Sequence, residues 1–134
     1  MAAMEVELHW SGTGLRFESD VGGGVTLDGD AEAGPSPMQS LLLGLAGCMA
    51  IDVIVILEKM RVPLEGLAVR VSGIRAPEPP RRFTEITLLY EVSGIDASNT
   101  SKLDRAIELS RDRYCSVFHT LNPDTVIRIE TRLD

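Results

Sequence analysis

Between residues 41 and 57 the chain is apolar on almost every turn, and this segment organises the pattern on either side of it. Ser36-Pro37-Met38-Gln39 opens it as a helix start. Ser36 serves as the cap, Pro37 suits the first helical position, and Gln39 completes a capping box. No breaker follows until Arg61-Val62-Pro63, which predicts a helix to about Met60, roughly 36 Å long. Ahead of it, residues 5–10 and 15–19 alternate apolar and polar side chains around a turn at 11–14. Residues 25–28 read as a third short strand after Gly22-Gly23-Gly24. Beyond the helix, residues 66–75 and 81–92 read as longer strands around the proline-rich turn 77–80. In the second of these, Phe83, Ile86, Leu88 and Tyr90 approximate a period of two. Leu103, Ala106, Ile107 and Ser110 mark the inner stripe of an amphipathic helix to about Arg113, with Ser101 and Asp104 as its capping box. Residues 115–121 predict a further short helical turn, and residues 125–133 a closing strand. The order βββαββααβ is α+β, with a mostly antiparallel sheet packed on a long buried helix.

A helix apolar all round must be enclosed all round. Its length approaches that of a membrane span, but it contains Asp52, Glu58 and Lys59 follow at once, and the remaining chain is a strand-and-turn pattern. It therefore reads as a core helix. One sheet covers one side, and the remaining substantial helix is amphipathic. A second copy of the chain is the economical cover for the other side, with Gly44, Ala46, Gly47 and Ala50 allowing close backbone approach. Each Leu or Ile left in water would forfeit roughly 1.5–3 kcal/mol. The expectation is an obligate homodimer; the alternative is a core closed within one chain.

Composition narrows the function classes. With 134 residues the chain is expected to be a single domain over 1–134. Its net charge of −7 argues against nucleic acid, which requires clustered Lys and Arg, and against an anionic membrane surface. The first ten residues carry neither a basic nor an apolar stretch of the secretory kind, and two cysteines without such a signal imply a reducing, cytoplasmic setting.

Those two cysteines are the main chemical candidates. Cys48 lies inside the apolar helix, and Cys115 follows the charged Arg111-Asp112-Arg113. They are too far apart for a local metal knuckle. Two readings remain open from the residues themselves: a redox pair, or two unrelated core cysteines. Asp52, one turn beyond Cys48, reads first as a structural hydrogen-bond or ion-pair partner and second as a wall of the same cleft. His9 and His119 are isolated, which argues against a metal site. Gly22-Gly23-Gly24 opens no helix and does not match a phosphate loop. Arg81-Arg82 reads as an exposed sheet entrance before it reads as part of a site.

Residues 36–60 resemble the central helix of the OsmC-like superfamily, which holds osmotically inducible protein C and the organic hydroperoxide resistance proteins. The shared pattern is a proline eleven residues before a cysteine in a Leu/Ala/Gly-rich helix, matched by Pro37 and Cys48. A second signature, a helix ending in Ser followed after a short gap by Cys-Ser-Val, is matched by Ser110 and Cys115-Ser116-Val117. The resemblance spans essentially the whole chain. It implies an intertwined homodimer with the two motif cysteines facing each other at the subunit interface. It also implies thiol-dependent reduction of organic hydroperoxides or hydrogen peroxide, without a cofactor. Cys48 would be the peroxidatic residue, Cys115 the resolving one, and an external thiol the reductant. A thiol of ordinary pKa, about 8.5, is only about 3% ionised at neutral pH, so a cation is needed nearby. The resemblance implies Arg16 as the counterpart of the family's N-terminal arginine; the residues alone equally allow an ordinary solvent-facing strand position. The chain departs from the peroxidases at Met38, where they commonly carry a glutamate after the proline. A non-enzymatic dimeric module, binding a small apolar or thiol-bearing ligand in the interface cleft, is the alternative that this departure favours.

Overall fold

The computed structural model describes residues 2–134 and forms two compact units, one ending at Leu41 and one running from Leu42 to Asp134. The first unit is an antiparallel sheet of three strands in the order β1 (His9–Trp10), β2 (Arg16–Ser19) and β3 (Val25–Asp28). Phe17 sits opposite Trp10 on one side and Leu27 on the other. The β1–β2 turn places Gly12 and Gly14 at φ of 91° and 57°, where a side chain is disfavoured. The Trp10 indole N–H closes the turn on the Gly14 carbonyl at 3.0 Å. The strand expected over residues 5–10 is shorter than its alternation implies. Only its last two residues pair, because β2 ends at Ser19 and the chain enters a single 3-10 turn, Val21–Gly23. Asp28 is buried at the end of β3 and accepts the N–H groups of Ala33 and Asp30 at 3.0 and 2.9 Å. Those two N–H groups hold its carboxyl below the usual carboxylate range.

The long helix α1 (Pro37–Lys59) starts at the expected box. The Gln39 N–H donates to Ser36 Oγ at 3.1 Å, and the Ser36 N–H donates to Gln39 Oε1 at 2.9 Å. Two amide groups that the helix cannot satisfy are thereby satisfied reciprocally.

The second unit carries a second three-stranded sheet, β4 (Gly66–Arg75), β5 (Phe83–Ser93) and β6 (Val126–Leu133), with β5 in the middle. β4 and β5 are antiparallel, whereas β6 lies parallel to β5, with Ile86 opposite Ile127 and Leu88 opposite Ile129. The single, mostly antiparallel sheet of the sequence reading is thus two sheets, the second of mixed direction. The parallel pair follows from its connection: helices α2 (Thr100–Leu109) and α3 (Ser116–Thr120) carry the chain back to the same end of the sheet.

The core combines three stripes. β5 buries Ile86, Leu88, Tyr90 and Val92 at alternate positions. α1 buries Leu45, Met49, Val53 and Leu57 at every fourth position, and α2 buries Leu103, Ala106, Ile107 and then Ser110. The capping box expected at Ser101 and Asp104 does not form. Asn99 precedes α2 without a side-chain cap, and Asp96 instead accepts the Ser98 N–H at 2.9 Å in the 3-10 turn Ala97–Asn99. That turn feeds directly into the helix, so Ser101 is already inside it.

By length and composition α1 could cross a membrane, but its buried stripe is that of a core helix. Its opposite face is bare: Leu43 is 60% and Ile51 64% exposed. With Leu67 and Val69 of β4 this face lines an open apolar groove of about 630 Å³. At Gly44 and Gly47 an added Cβ would meet nothing within 4 Å.

Replacing Ser36 with Ala should lower the stability of the protein by about 1 kcal/mol, and Ser36→Asn should restore most of it. Urea unfolding followed by circular dichroism measures both; no change in Ser36→Ala would remove the box as a determinant of the helix start.

Candidate functional site

Cys48 is positioned by α1, half-buried, between the buried Leu45 and Met49. Cys115 reaches the same region by a less regular route. After Leu109 the helix widens into a π turn, Ser110–Tyr114, in which the Cys115 N–H donates to the Ser110 carbonyl at 2.8 Å. Such turns insert an extra residue, and so re-aim whatever follows them. Cys115 then leaves the helical region of backbone conformation and caps α3. Its Sγ accepts the Phe118 N–H at 3.3 Å, and its side chain is fully buried.

The two thiols are neighbours: Cys48 lies close enough to Cys115 to favour its protonated form. Burial pushes the Cys115 thiol up to about 11; the Phe118 N–H works in the opposite direction, and the charges of Cys48 and Asp52 add to the rise. Cys115 is therefore a thiol, not a thiolate, at neutral pH.

Asp52 and Ser110 tie the two elements together. The Ser110 hydroxyl is fully buried and donates to Asp52 Oδ2 at 2.8 Å, with the Met49 carbonyl at 3.5 Å as a second, weaker acceptor. Asp52 stands one turn beyond Cys48, and Ser110 begins the turn that ends at Cys115. Asp52 makes the structural hydrogen bond expected of it, and its charge also raises the Cys115 thiol. Tyr90 completes the cluster from β5. Burial, followed by the charges of Cys115 and Asp52, pushes its phenol well above the ordinary range, so it keeps its proton. Beside Asp52 a further cavity of about 490 Å³ is lined by Val55, Ile56, Met60, Leu109 and Tyr114, with Lys59 at its edge.

Arg16 is exposed on β2 of the first unit, in register with Asp28, and its charge contributes to the lowered Asp28 carboxyl. Arg82 has a structural use: its Nη1 donates to the Phe83 carbonyl at 3.1 Å and to Thr125 Oγ1 at 3.3 Å, joining β5 to the start of β6. His9 is exposed beside Glu7, and His119 is exposed in the last turn of α3. Sequence reasoning gave Tyr90 no role at the site. Its only signal was a polar tip on an otherwise aliphatic buried stripe, and the fold was needed to see what lies opposite.

Residues 28–130 match the OsmC-like protein family. The chain belongs to that family. Protein YhfA of Escherichia coli K12 is 38% identical over 117 residues, a match covering 85% of this chain and 86% of that one. Among solved structures, a hypothetical protein from Aquifex aeolicus VF5 superposes with a TM-score of 0.87 at 29% identity, over 100% of this chain and 98% of the other. An organic hydroperoxide resistance protein OsmC from Legionella pneumophila gives a TM-score of 0.69, covering 98% of each chain. Its identity is 14%, so that likeness is one of fold. As an OsmC-like protein, the chain carries α1 as a core helix of a soluble fold.

Ser110→Ala should destabilise this OsmC-like protein by about 1–3 kcal/mol, because it leaves a half-buried carboxylate without its donor. In the Asp52→Asn background, where the acceptor is neutral, the same change should cost less. A double-mutant cycle in urea measures the difference; additive costs would mean that the bond contributes nothing.

Proposed function

We propose that this protein is a cytoplasmic thiol peroxidase of the OsmC-like kind, reducing organic hydroperoxides or hydrogen peroxide through Cys48 and Cys115. The observation that carries the reading is the proximity of two thiols remote in sequence, one half-buried and one fully buried. This asymmetry supports one order of events. Cys48, the accessible thiol, attacks the distal peroxide oxygen as its thiolate; the O–O bond breaks, the alcohol leaves, and Cys48 becomes a sulfenic acid. Cys115, sealed from solvent, attacks the Cys48 sulfur, the sulfenic hydroxyl leaves as water with the Cys115 proton, and a disulfide remains. Two equivalents of an external thiol return the pair to its reduced state. Sulfur carries both electrons, so the cycle requires no prosthetic group.

One equivalent of cumene hydroperoxide should produce a Cys48–Cys115 disulfide, detected by mass spectrometry of non-reduced peptides. Cys48→Ser should abolish consumption of the peroxide. Cys115→Ser should consume one equivalent and accumulate sulfenic acid, trapped with dimedone. Thiols that ignore the peroxide would leave the ligand-binding module, the reading favoured by Met38 at the helix start, as the better account.

The same reading makes the working unit a homodimer closed over the bare face of α1. Leu43, Ile51 and the open backbone at Gly44 and Gly47 support it. Ile51→Glu should convert a dimer to a monomer in sedimentation velocity, and a native protein that sediments as a monomer would remove this part of the proposal.

A further inference from the structure

One face of α1 carries a sulfur, a carboxylate and an ammonium group in a row. Cys48, Asp52 and Lys59 fall within about 40° of one another around the helix axis. Along the axis Asp52 stands about 6 Å beyond Cys48, and Lys59 about 10 Å beyond Asp52. Asp52 and Lys59 both line the cavity of about 490 Å³ beside the helix. Between them the helix offers only Val55 and Ile56, and Leu109 and Tyr114 line the cavity from the following segment. All of these residues belong to the second unit. The fold leaves both charged ends available. Asp52 is half-buried and accepts the Ser110 hydroxyl on Oδ2, and a carboxylate has room for further donors. Lys59 is exposed and makes no ion pair among the described residues.

We propose that this cavity seats the reductant, a small cysteinyl thiol with a free amine beside its sulfur and a carboxylate at its far end. The inference rests on the reading of the two cysteines as a redox pair. The amine pairs with Asp52, the carboxylate with Lys59, and the apolar middle lies over Val55 and Ile56. Charge selects this class: a polyamine would bring a like charge to Lys59, a dianion would bring one to Asp52, and an uncharged thiol would pair with neither. In a cysteinyl group the sulfur sits on the carbon next to the one bearing the amine. An amine held at Asp52 therefore leaves the sulfur free to reach back one helix turn, to Cys48. The thiolate attacks the Cys48 sulfur of the Cys48–Cys115 disulfide, that S–S bond breaks, and Cys115 leaves and takes up a proton. A second molecule of the thiol then attacks the ligand sulfur of the mixed disulfide and releases Cys48 as its thiolate. The protein disulfide is reduced, and two ligand thiols are oxidised to a disulfide.

The test uses the full-length protein oxidised with diamide, which takes up the two thiol hydrogens, so no hydroperoxide is needed. The probe is the peptide Cys-Ala-Leu, about 10 Å long when extended, with its termini free or blocked. Each rate of protein disulfide reduction is divided by the rate at which the same peptide reduces dithiobis(nitrobenzoate), which cancels differences in thiol reactivity. Acetylating the amine should slow the corrected rate about tenfold or more, because a charged donor to a half-buried carboxylate is lost. Amidating the carboxylate should slow it about two- to fivefold, as suits an exposed ion pair. In Lys59→Gln the free acid and the amide should react alike while the acetyl effect persists, and in Asp52→Asn the acetyl effect should shrink. Equal corrected rates for all forms of the peptide overturn the proposal, as does an amide effect that survives Lys59→Gln. A native protein that forms no Cys48–Cys115 disulfide with diamide overturns it together with the pair itself. A pair that closes with diamide and is reopened with these preferences, in a protein inert to hydroperoxide, sinks the peroxidase reading and leaves the seat for the thiol intact.

Discussion

The hydrogen bond from Ser110 to Asp52 is the cross-link on which the site depends. Without it α1 and the end of α2 would be joined only by apolar contact, which fixes neither rotation nor register. A buried hydroxyl and a half-buried carboxylate have a single good arrangement, so the bond sets the relation of the two elements. Cys48 lies one turn before Asp52, and Cys115 lies one wide turn after Ser110. The placement of both sulfurs follows from a contact that involves neither.

The same cluster sets the chemical difference between the thiols. Burial is the largest influence on Cys115, with the charge of Asp52 acting in the same sense, so its thiol keeps its proton at neutral pH. Cys48 keeps contact with solvent. In the proposed cycle the order of the two thiols follows from their burial rather than from the identity of the side chains.

Much of this was legible in the residues. The helix start at Ser36, the stripe Leu103, Ala106, Ile107 and Ser110, and the β4 span all follow from capping chemistry and periodicity, which are local. What was not legible depends on partners remote in the chain. Alternation over residues 5–10 offered a strand face but could not say that β2 ends too soon to pair with all of it. Ser101 and Asp104 satisfy the box pattern, yet an upstream turn capped by Asp96 takes over the function. The parallel pairing of β6 depends on which end of the sheet the helices return to. Cys48 and Cys115 came together in advance only through a family likeness, because spacing alone leaves them unrelated.

The π turn has a consequence for how this segment can drift. Asp112, Arg113 and Tyr114 are exposed, so almost any polar residue fits there. Their number, however, is fixed. Removing one would restore an ordinary helix and swing the next side chain by about 100° around the axis, carrying the sulfur away from its neighbour. The segment is free in spelling and rigid in count: it tolerates exchange of letters, but not the loss of one.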